Sequence, residues 1–198
     1  MRETASFPAN LSRIVLTGFM GAGKTTVGAL LAPRLGWEFV DTDRVIEAHA
    51  HCTIAEIFER DGETAFRDEE GAAIRELARS ERVVIGLGGG SLEMEATREF
   101  LAAMPQTLIV FLEAPLETLL ARCASQQDGP VRPVLADRAG LAERWKRRVP
   151  WYREAHVTVE TRGLSPEEVV DRILRRLEAG VGDGLAGAPP ADRSGVRA

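Results

Sequence analysis

Residues 13–28 read RIVLTGFMGAGKTTVG, and the rest of the chain is arranged around them. The β-branched and aliphatic run Ile14-Val15-Leu16 ends at Thr17-Gly18. A glycine-dense turn then leads to Lys24-Thr25-Thr26 and an apolar, helix-favouring stretch. Gly18, Gly23, Lys24 and Thr25 fit the spacing G-x-x-x-x-G-K-[ST] of a phosphate-binding loop. Glycines let backbone N–H groups turn inward around a phosphate with no Cβ in the way. The helix that begins near Gly23 aims its positive end at the same anion. Lys24 adds a point charge near the β- and γ-phosphates, and the Thr25 hydroxyl suits Mg²⁺. A glycine-rich turn arising by chance is the alternative. The strand signal before the loop and the helix signal after it tell against that. The stretch from Gly21 through Ala22, Gly23, Lys24 and Thr25 to Thr26 is therefore the expected cradle of a nucleoside triphosphate.

The chain has 198 residues, enough for one domain with a sizeable core. Hydrophobic residues make up 44% and charged residues 28%, an ordinary balance for a soluble globular protein. A net charge of −5 supplies no broad positive field for nucleic acid, and no apolar run reaches membrane-spanning length. Lys24 and Lys146 are the only lysines in an arginine-rich chain, so one of the two stands where the loop chemistry requires it. Cys52 and Cys123 lack metal-type or C-x-x-C spacing and read as reduced thiols of a cytoplasmic protein. The polar segment 1–12 has no apolar core of a secretory signal and reads as a flexible lead-in.

After the loop, residues 24–35 carry Val27, Leu30, Leu31 and Leu35 on one helical face, and Gly36 marks the stop. Trp37 to Val40 reads as a short strand ending in Asp41-Thr42-Asp43. Carboxylates just past a strand end lie where α/β sheets bind ligands. Alternation along an extended segment would put Asp41 and Asp43 on one side. Capping of a following helix, Arg44 to Ala50, is the other reading of Asp43. Thr53 and Glu56 form a capping box for a helix over 53–60. A longer amphipathic helix follows from Glu63 to Ser80, with Phe66, Ile74 and Leu77 inward. Arg67 in its early turns is not where a helix dipole favours a cation. It points either to a ligand or to a surface pair with Glu70.

Val83-Val84-Ile85 reads as a buried strand, followed by the glycines Gly88, Gly89 and Gly90. They suit a ligand packed directly on backbone, or simply a turn. A helix over about 91–102, a strand from Thr107 to Leu112 and a helix from Pro115 to Cys123 come next. The polar stretch 124–134, with Arg132-Pro133, reads as a mobile loop over the site. A charged helix runs from Asp137 to Arg148, ended or kinked at Pro150. Val157-Thr158-Val159 is the last strand, and Ser165-Pro166-Glu167-Glu168 opens a final helix to Glu178. Residues 179–198 are rich in Gly, Ala and Pro and read as a disordered tail. Strands alternate with helices, so the expected fold class is a three-layer α/β/α arrangement around a mostly parallel five-stranded sheet.

These motifs together resemble the shikimate kinases, a branch of the nucleoside-monophosphate-kinase-like P-loop fold. The resemblance covers about residues 13–178, with a mobile lid at about 124–136. It rests on GFMGAGKTTVG, on Asp41-x-Asp43 and on GE-x-x-FR-x-x-E from Gly62 to Glu70. It continues through the three glycines at 88–90, Arg132-Pro133, and R-x-P-x-Y from Arg148 to Tyr152. Each motif after the phosphate loop is weak alone; their joint order and spacing are specific.

The resemblance implies transfer of a phosphoryl group from ATP, with Mg²⁺, to the 3-hydroxyl of shikimate, a step toward chorismate and the aromatic amino acids. It implies that Asp43 binds ring hydroxyls and accepts the proton of the attacking one. Arg67 and Arg148 would hold the substrate carboxylate, and Gly88 to Gly90 would line it. Thr25 would ligate Mg²⁺, with Asp41 acting through water. Arg132 would swing in with the lid, and Arg122 and Pro166 would meet adenine. Between Arg122 and Arg132 the chain is longer than the family pattern. His51 stands where that pattern commonly has glycine, in a geometry histidine tolerates. The competing readings are a kinase of another hydroxy acid such as gluconate, and a non-catalytic ligand-sensing module. The combined Phe66-Arg67 and Arg148 positions disfavour the first, and the full set of catalytic residue types disfavours the second. A monomer is expected, with no nucleic-acid or membrane partner.

Overall fold

The computed structural model describes residues 11–125 and 138–179. Among them five strands pair side by side, all parallel, in the order β2-β3-β1-β4-β5. They are β1 (Arg13–Thr17), β2 (Glu38–Asp41), β3 (Val83–Gly86), β4 (Thr107–Glu113) and β5 (Val157–Glu160). The helices are α1 (Lys24–Leu35), α2 (Thr42–Ala50), α3 (Ile54–Arg60), α4 (Gly62–Leu77), α5 (Glu95–Ala103), α6 (Leu116–Ser125), α7 (Arg138–Tyr152) and α8 (Pro166–Glu178). A single 3₁₀ turn, Ser91–Glu93, precedes α5.

The sheet centre is aliphatic because helices flank it. Ile14, Val15, Leu16, Val84 and Val110 are fully buried, as expected of parallel strands covered on both sides. Helix α1 packs on α8, whose Val169, Val170, Ile173 and Leu177 face the core. A second, smaller cluster of Ile46, Ile57, Phe66 and Ala73 ties α2, α3 and α4 together beside β2.

The order of strands places the site. Strands β1 and β3 are neighbours in register, Leu16 opposite Gly86, yet the chain leaves them in opposite directions along the sheet. Ligands of open α/β sheets bind in the crevice at such a switch. The phosphate loop after β1 and the three glycines after β3 both open there.

Several boundaries differ from the sequence expectation, for identifiable reasons. Strand β2 extends through Asp41, and α2 starts at Thr42 rather than Arg44. Asp41 caps that helix, its Oδ1 accepting the Asp43 N–H at 3.1 Å, so Asp43 lies in a helical first turn and the two do not share an extended segment. Helix α4 ends at Leu77, before Ser80. The helix expected over 91–102 is a 3₁₀ turn followed by α5, and Pro115 lies just ahead of α6. Pro150 neither ends nor breaks α7, which continues to Tyr152. Tertiary contacts hold that last turn: Val149 and Tyr152 are buried, and Tyr152 stacks on Phe111 with centroids 5.3 Å apart. The expected capping boxes are present at Thr53–Glu56 and Ser165–Glu168. His51 ends α2 in the left-handed region at φ 53°.

Candidate active site

The loop between β1 and α1 folds back over the end of the sheet. Gly21 has φ +74°, and a Cβ there would run into the backbone of Leu119 and the Cys123 sulfur, so only glycine fits. Lys24 Nζ donates to the carbonyls of Gly18 at 2.8 Å and Phe19 at 3.2 Å, which keeps the ammonium over the loop. Thr25 Oγ1 donates to Asp41 Oδ2 at 2.8 Å. Asp41 thus joins the start of α1 to the start of α2, one oxygen on each.

Asp43 sits behind this pair. Burial pushes its carboxyl up to about 6, and Asp41, Glu70 and Glu47 add to that while Lys24 pulls the other way. A Cβ on Gly88 would lie 2.7 Å from Asp43 Oδ1 and 2.7 Å from Glu70 Oε1. The bare glycine is what lets two carboxylates approach the same strip of backbone. Thr42, fully buried, fixes that strip by accepting from Gly88 N–H at 3.0 Å and donating to the Gly86 carbonyl at 3.2 Å.

The arginines meet on the other side of the glycines. Arg67 donates to Glu70 at 2.7 Å and to Glu63 at 3.2 Å. The Arg67–Glu70 pair that sequence offered as a surface feature therefore exists, but it is buried. Ser91 Oγ lies 2.5 Å from Glu70 Oε1 and 2.9 Å from the Gly88 carbonyl, locking Glu70 in place. A Cβ on Gly90 would stand 2.5 Å from Arg67 Nη2, so Arg67 lies flat on that backbone.

Arg148, also buried, donates from Nη1 to the Gly89 carbonyl at 3.1 Å and from Nε to Glu93 Oε1 at 2.8 Å. Its cation lies 5.8 Å from the centroid of the Phe19 ring. Lys146 and Arg147, its neighbours in sequence, are exposed, so Arg148 is not simply one of three helix-end charges. Glu93 Oε2 lies 3.6 Å from Arg67 Nη2. Both guanidinium groups therefore converge on one carboxylate. Burial works to raise the Glu93 carboxyl, but hydrogen bonds from Arg148 and Arg147 hold it down at about 2.

Beside the phosphate loop, a cavity of about 250 Å³ is walled by Gly21, Gly23, Thr26, Arg122, Thr161 and Pro166. Arg122 is anchored there, donating to Thr161 Oγ1 at 3.0 Å and to the Thr161 carbonyl at 2.6 Å. Arg132 and residues 126–137, most of the expected lid, lie outside the described residues; Ala124 and Ser125, expected in that loop, are instead the last residues of α6. His156 is structural: its Nδ1 accepts the Ile109 N–H at 3.0 Å, and burial lowers its pKa.

The structure brings Asp43, Arg67 and Arg148 together along Gly88 to Gly90, with three partners that sequence reasoning did not name. Glu93 and Ser91 carried no signal, since no spacing rule links residue 93 to residues 67 and 148. Tyr152 stood inside a quoted motif without a role; its hydroxyl donates to the Gly89 carbonyl at 2.5 Å.

A hard-oxygen pair of hydroxyl and carboxylate at the head of α1, 2.8 Å apart, fits Mg²⁺ held jointly with phosphates and water. Among the described residues no three His, Cys, Asp or Glu side chains cluster as an all-protein metal cage would need. The sheet order, the phosphate loop and its adjoining cavity define the class: a P-loop kinase of a small molecule. The sequence model of the family described as shikimate kinase matches residues 20–178. The shikimate kinase of Psychrobacter arcticus is 36% identical over 170 residues, spanning 85% of this chain and 90% of its own. The solved shikimate kinase of Acinetobacter baumannii in complex with shikimate is 38% identical with a TM-score of 0.78, covering 85% of this chain and 94% of that one. The chain belongs to the shikimate kinase family. A gluconokinase from Sinorhizobium meliloti, 20% identical with a TM-score of 0.57 over 85% of this chain and 92% of that one, shares the fold alone.

Proposed function

We propose that this protein transfers the γ-phosphoryl group of ATP to the 3-hydroxyl of shikimate, giving shikimate 3-phosphate and ADP. The observation that carries the substrate is the convergence of Arg67 and Arg148 on a carboxylate, against a wall of bare glycine backbone. Planar guanidinium forks suit a planar carboxylate better than a hydroxyl-rich neutral face. Asp43, across Gly88 from this grip, would bind ring hydroxyls and take the proton of the attacking one. The hydroxyl oxygen then forms its bond to the γ-phosphorus as the bond to the β-phosphate oxygen breaks, and ADP leaves with those electrons. Backbone N–H groups from Gly21 to Thr26 and the Lys24 ammonium hold the phosphates, and the cavity between Arg122 and Pro166 takes the adenine. Thr25, and Asp41 through water, would hold Mg²⁺ with ATP, and the ion would supply neutralisation of the phosphate charge. Arg132 is assigned to the charge on the transferring group.

We read the working unit as a cytoplasmic monomer without nucleic-acid or membrane partners. The free thiols of Cys52 and Cys123 suit a reducing compartment, and a net charge of −5 supplies no broad positive field for nucleic acid.

A coupled assay of ADP formation, with shikimate beside gluconate and other hydroxy acids, tests the assignment. Shikimate should stimulate ADP formation only with Mg²⁺ present. Folded protein that responds to another acid and not to shikimate would overturn it.

A further inference from the structure

The arginine grip is not empty of charge in the ligand-free protein. Glu93, at the end of the 3₁₀ turn, already holds it. Its Oε1 accepts from Arg148 Nε at 2.8 Å and from Arg147 Nη2 at 2.7 Å, and its Oε2 lies 3.6 Å from Arg67 Nη2. Charges facing this point from other elements are Glu63 and Glu70 of α4, both on Arg67. Three arginines thus face three carboxylates before any substrate arrives.

A substrate carboxylate entering that pocket makes a fourth negative charge. It needs the Arg148 Nε and Arg67 Nη2 hydrogens that Glu93 now occupies or faces. Two carboxylates cannot share them without repulsion on the scale that penalises wrong partners at interfaces. Glu93 has somewhere to go: Arg147, its third partner, is 61% exposed and marks the solvent side of the cluster. We infer that Glu93 is a resident carboxylate of the grip, a specificity-setting residue that the substrate carboxylate displaces toward Arg147. This rests on the reading of the site as a carboxylate-binding one. In the ligand-free state Glu93 keeps Arg67 and Arg148 aligned and neutralised. In exchange, each turnover replaces one carboxylate by another, so substrate binds less tightly than two unopposed arginines would hold it. A ligand without a carboxylate has nothing to offer the arginines once Glu93 leaves, so it is disfavoured.

The test is steady-state kinetics of the full chain, wild type beside Glu93→Gln, Arg147→Ala and the double variant, with shikimate and ATP varied separately. Glu93→Gln should lower KM for shikimate by about threefold to tenfold, the reach of roughly a kcal/mol of relieved repulsion, while KM for ATP holds. Arg147→Ala should raise KM for shikimate, because a displaced Glu93 then has no second partner. The double variant should match Glu93→Gln, since Arg147 acts only through Glu93. A raised KM for shikimate in Glu93→Gln would make Glu93 a plain support of the arginines, and an unchanged one would make it a bystander; either overturns the inference. Arg147 is a surface side chain, so its variant tests the idea even if Glu93→Gln folds poorly: an unchanged or lowered KM for shikimate there also overturns it. Failure of the wild type to use shikimate would instead overturn the functional assignment itself.

Discussion

Arg148 and Glu93 show how much a single side chain decides here. Arg148→Lys keeps the charge but not the fork, and lysine cannot donate to Glu93 or a substrate carboxylate and to the Gly89 carbonyl in one plane. Affinity for shikimate should fall by about 1–3 kcal/mol, the scale of a lost charge-assisted hydrogen bond, with ATP affinity nearly constant. Titration of each ligand against both proteins checks this, and equal shikimate affinity would reduce Arg148 to a helix charge. Glu93 carries a second consequence, for stability. Its folded carboxyl sits at about 2, below the ordinary 4.5, so the native state binds fewer protons than the unfolded chain between those values. The stabilisation is therefore full above about pH 4.5 and is lost as pH falls through 2. Glu93→Gln should cost on the order of 1–3 kcal/mol at neutral pH, less whatever solvent screens at this partly open site. Denaturant unfolding at pH 6 and pH 3 should show the gap narrowing at the lower value; a gap independent of pH would contradict it.

Elements bring those side chains to one place, and each does so through its end. Helix α1 starts in the phosphate loop, β2 and α2 exchange at Asp41, β3 runs out into glycines, and α7 delivers Arg148 from its final turns. Helix α8 has a different task, since its buried face supports α1 from behind. Its start is closed by a reciprocal capping box, Ser165 N–H to Glu168 at 2.7 Å and Glu168 N–H to Ser165 Oγ at 3.2 Å. Ser165→Ala should lower stability by about 1 kcal/mol, the usual worth of such a cap, and show as a lower Tm. Turnover below the new Tm should be little changed, because Pro166 and not the Ser165 side chain walls the cavity beside the phosphate loop. A large loss of activity without loss of stability would mean that the cap also holds Pro166 in its place at the site.

At the scale of the whole molecule, two half-sites face each other across the switch between β1 and β3. On the proposed reading, the loop after β1 with α6 and α8 would form the nucleotide side, and α2, α4, the glycines and α7 the acceptor side. Phosphoryl transfer requires that charge be neutralised where the halves meet, and Arg132 is the residue assigned to that task. Arg132→Ala should lower kcat on the order of 10³-fold or more while leaving shikimate binding nearly intact. Reduced affinity with unchanged kcat would reassign Arg132 to ground-state binding. Single-turnover kinetics with equilibrium titration separates the two outcomes.

Sequence alone determined whatever depends on short-range order. The phosphate loop was legible because glycines, lysine and threonine must follow a strand at fixed spacing to wrap an anion. Capping boxes were legible because both partners lie three residues apart. The alternation of strands and helices followed from local periodicity, and the parallel sheet from that alternation. Tertiary structure alone decided contacts whose partners are far apart in the chain. Asp41 could be read as a carboxylate at a strand end, but its bond to Thr25 exists only once β3 pairs with both β1 and β2 and brings their ends together. Helix α7 runs through Pro150 because Tyr152 finds Phe111 and Gly89, an anchoring that outweighs one missing backbone hydrogen bond. Glu93 meets Arg148 across 55 residues and closes the grip, and no local rule reaches that far. Side-chain charge is written in the sequence, but the partner that neutralises it is chosen by the packing of elements.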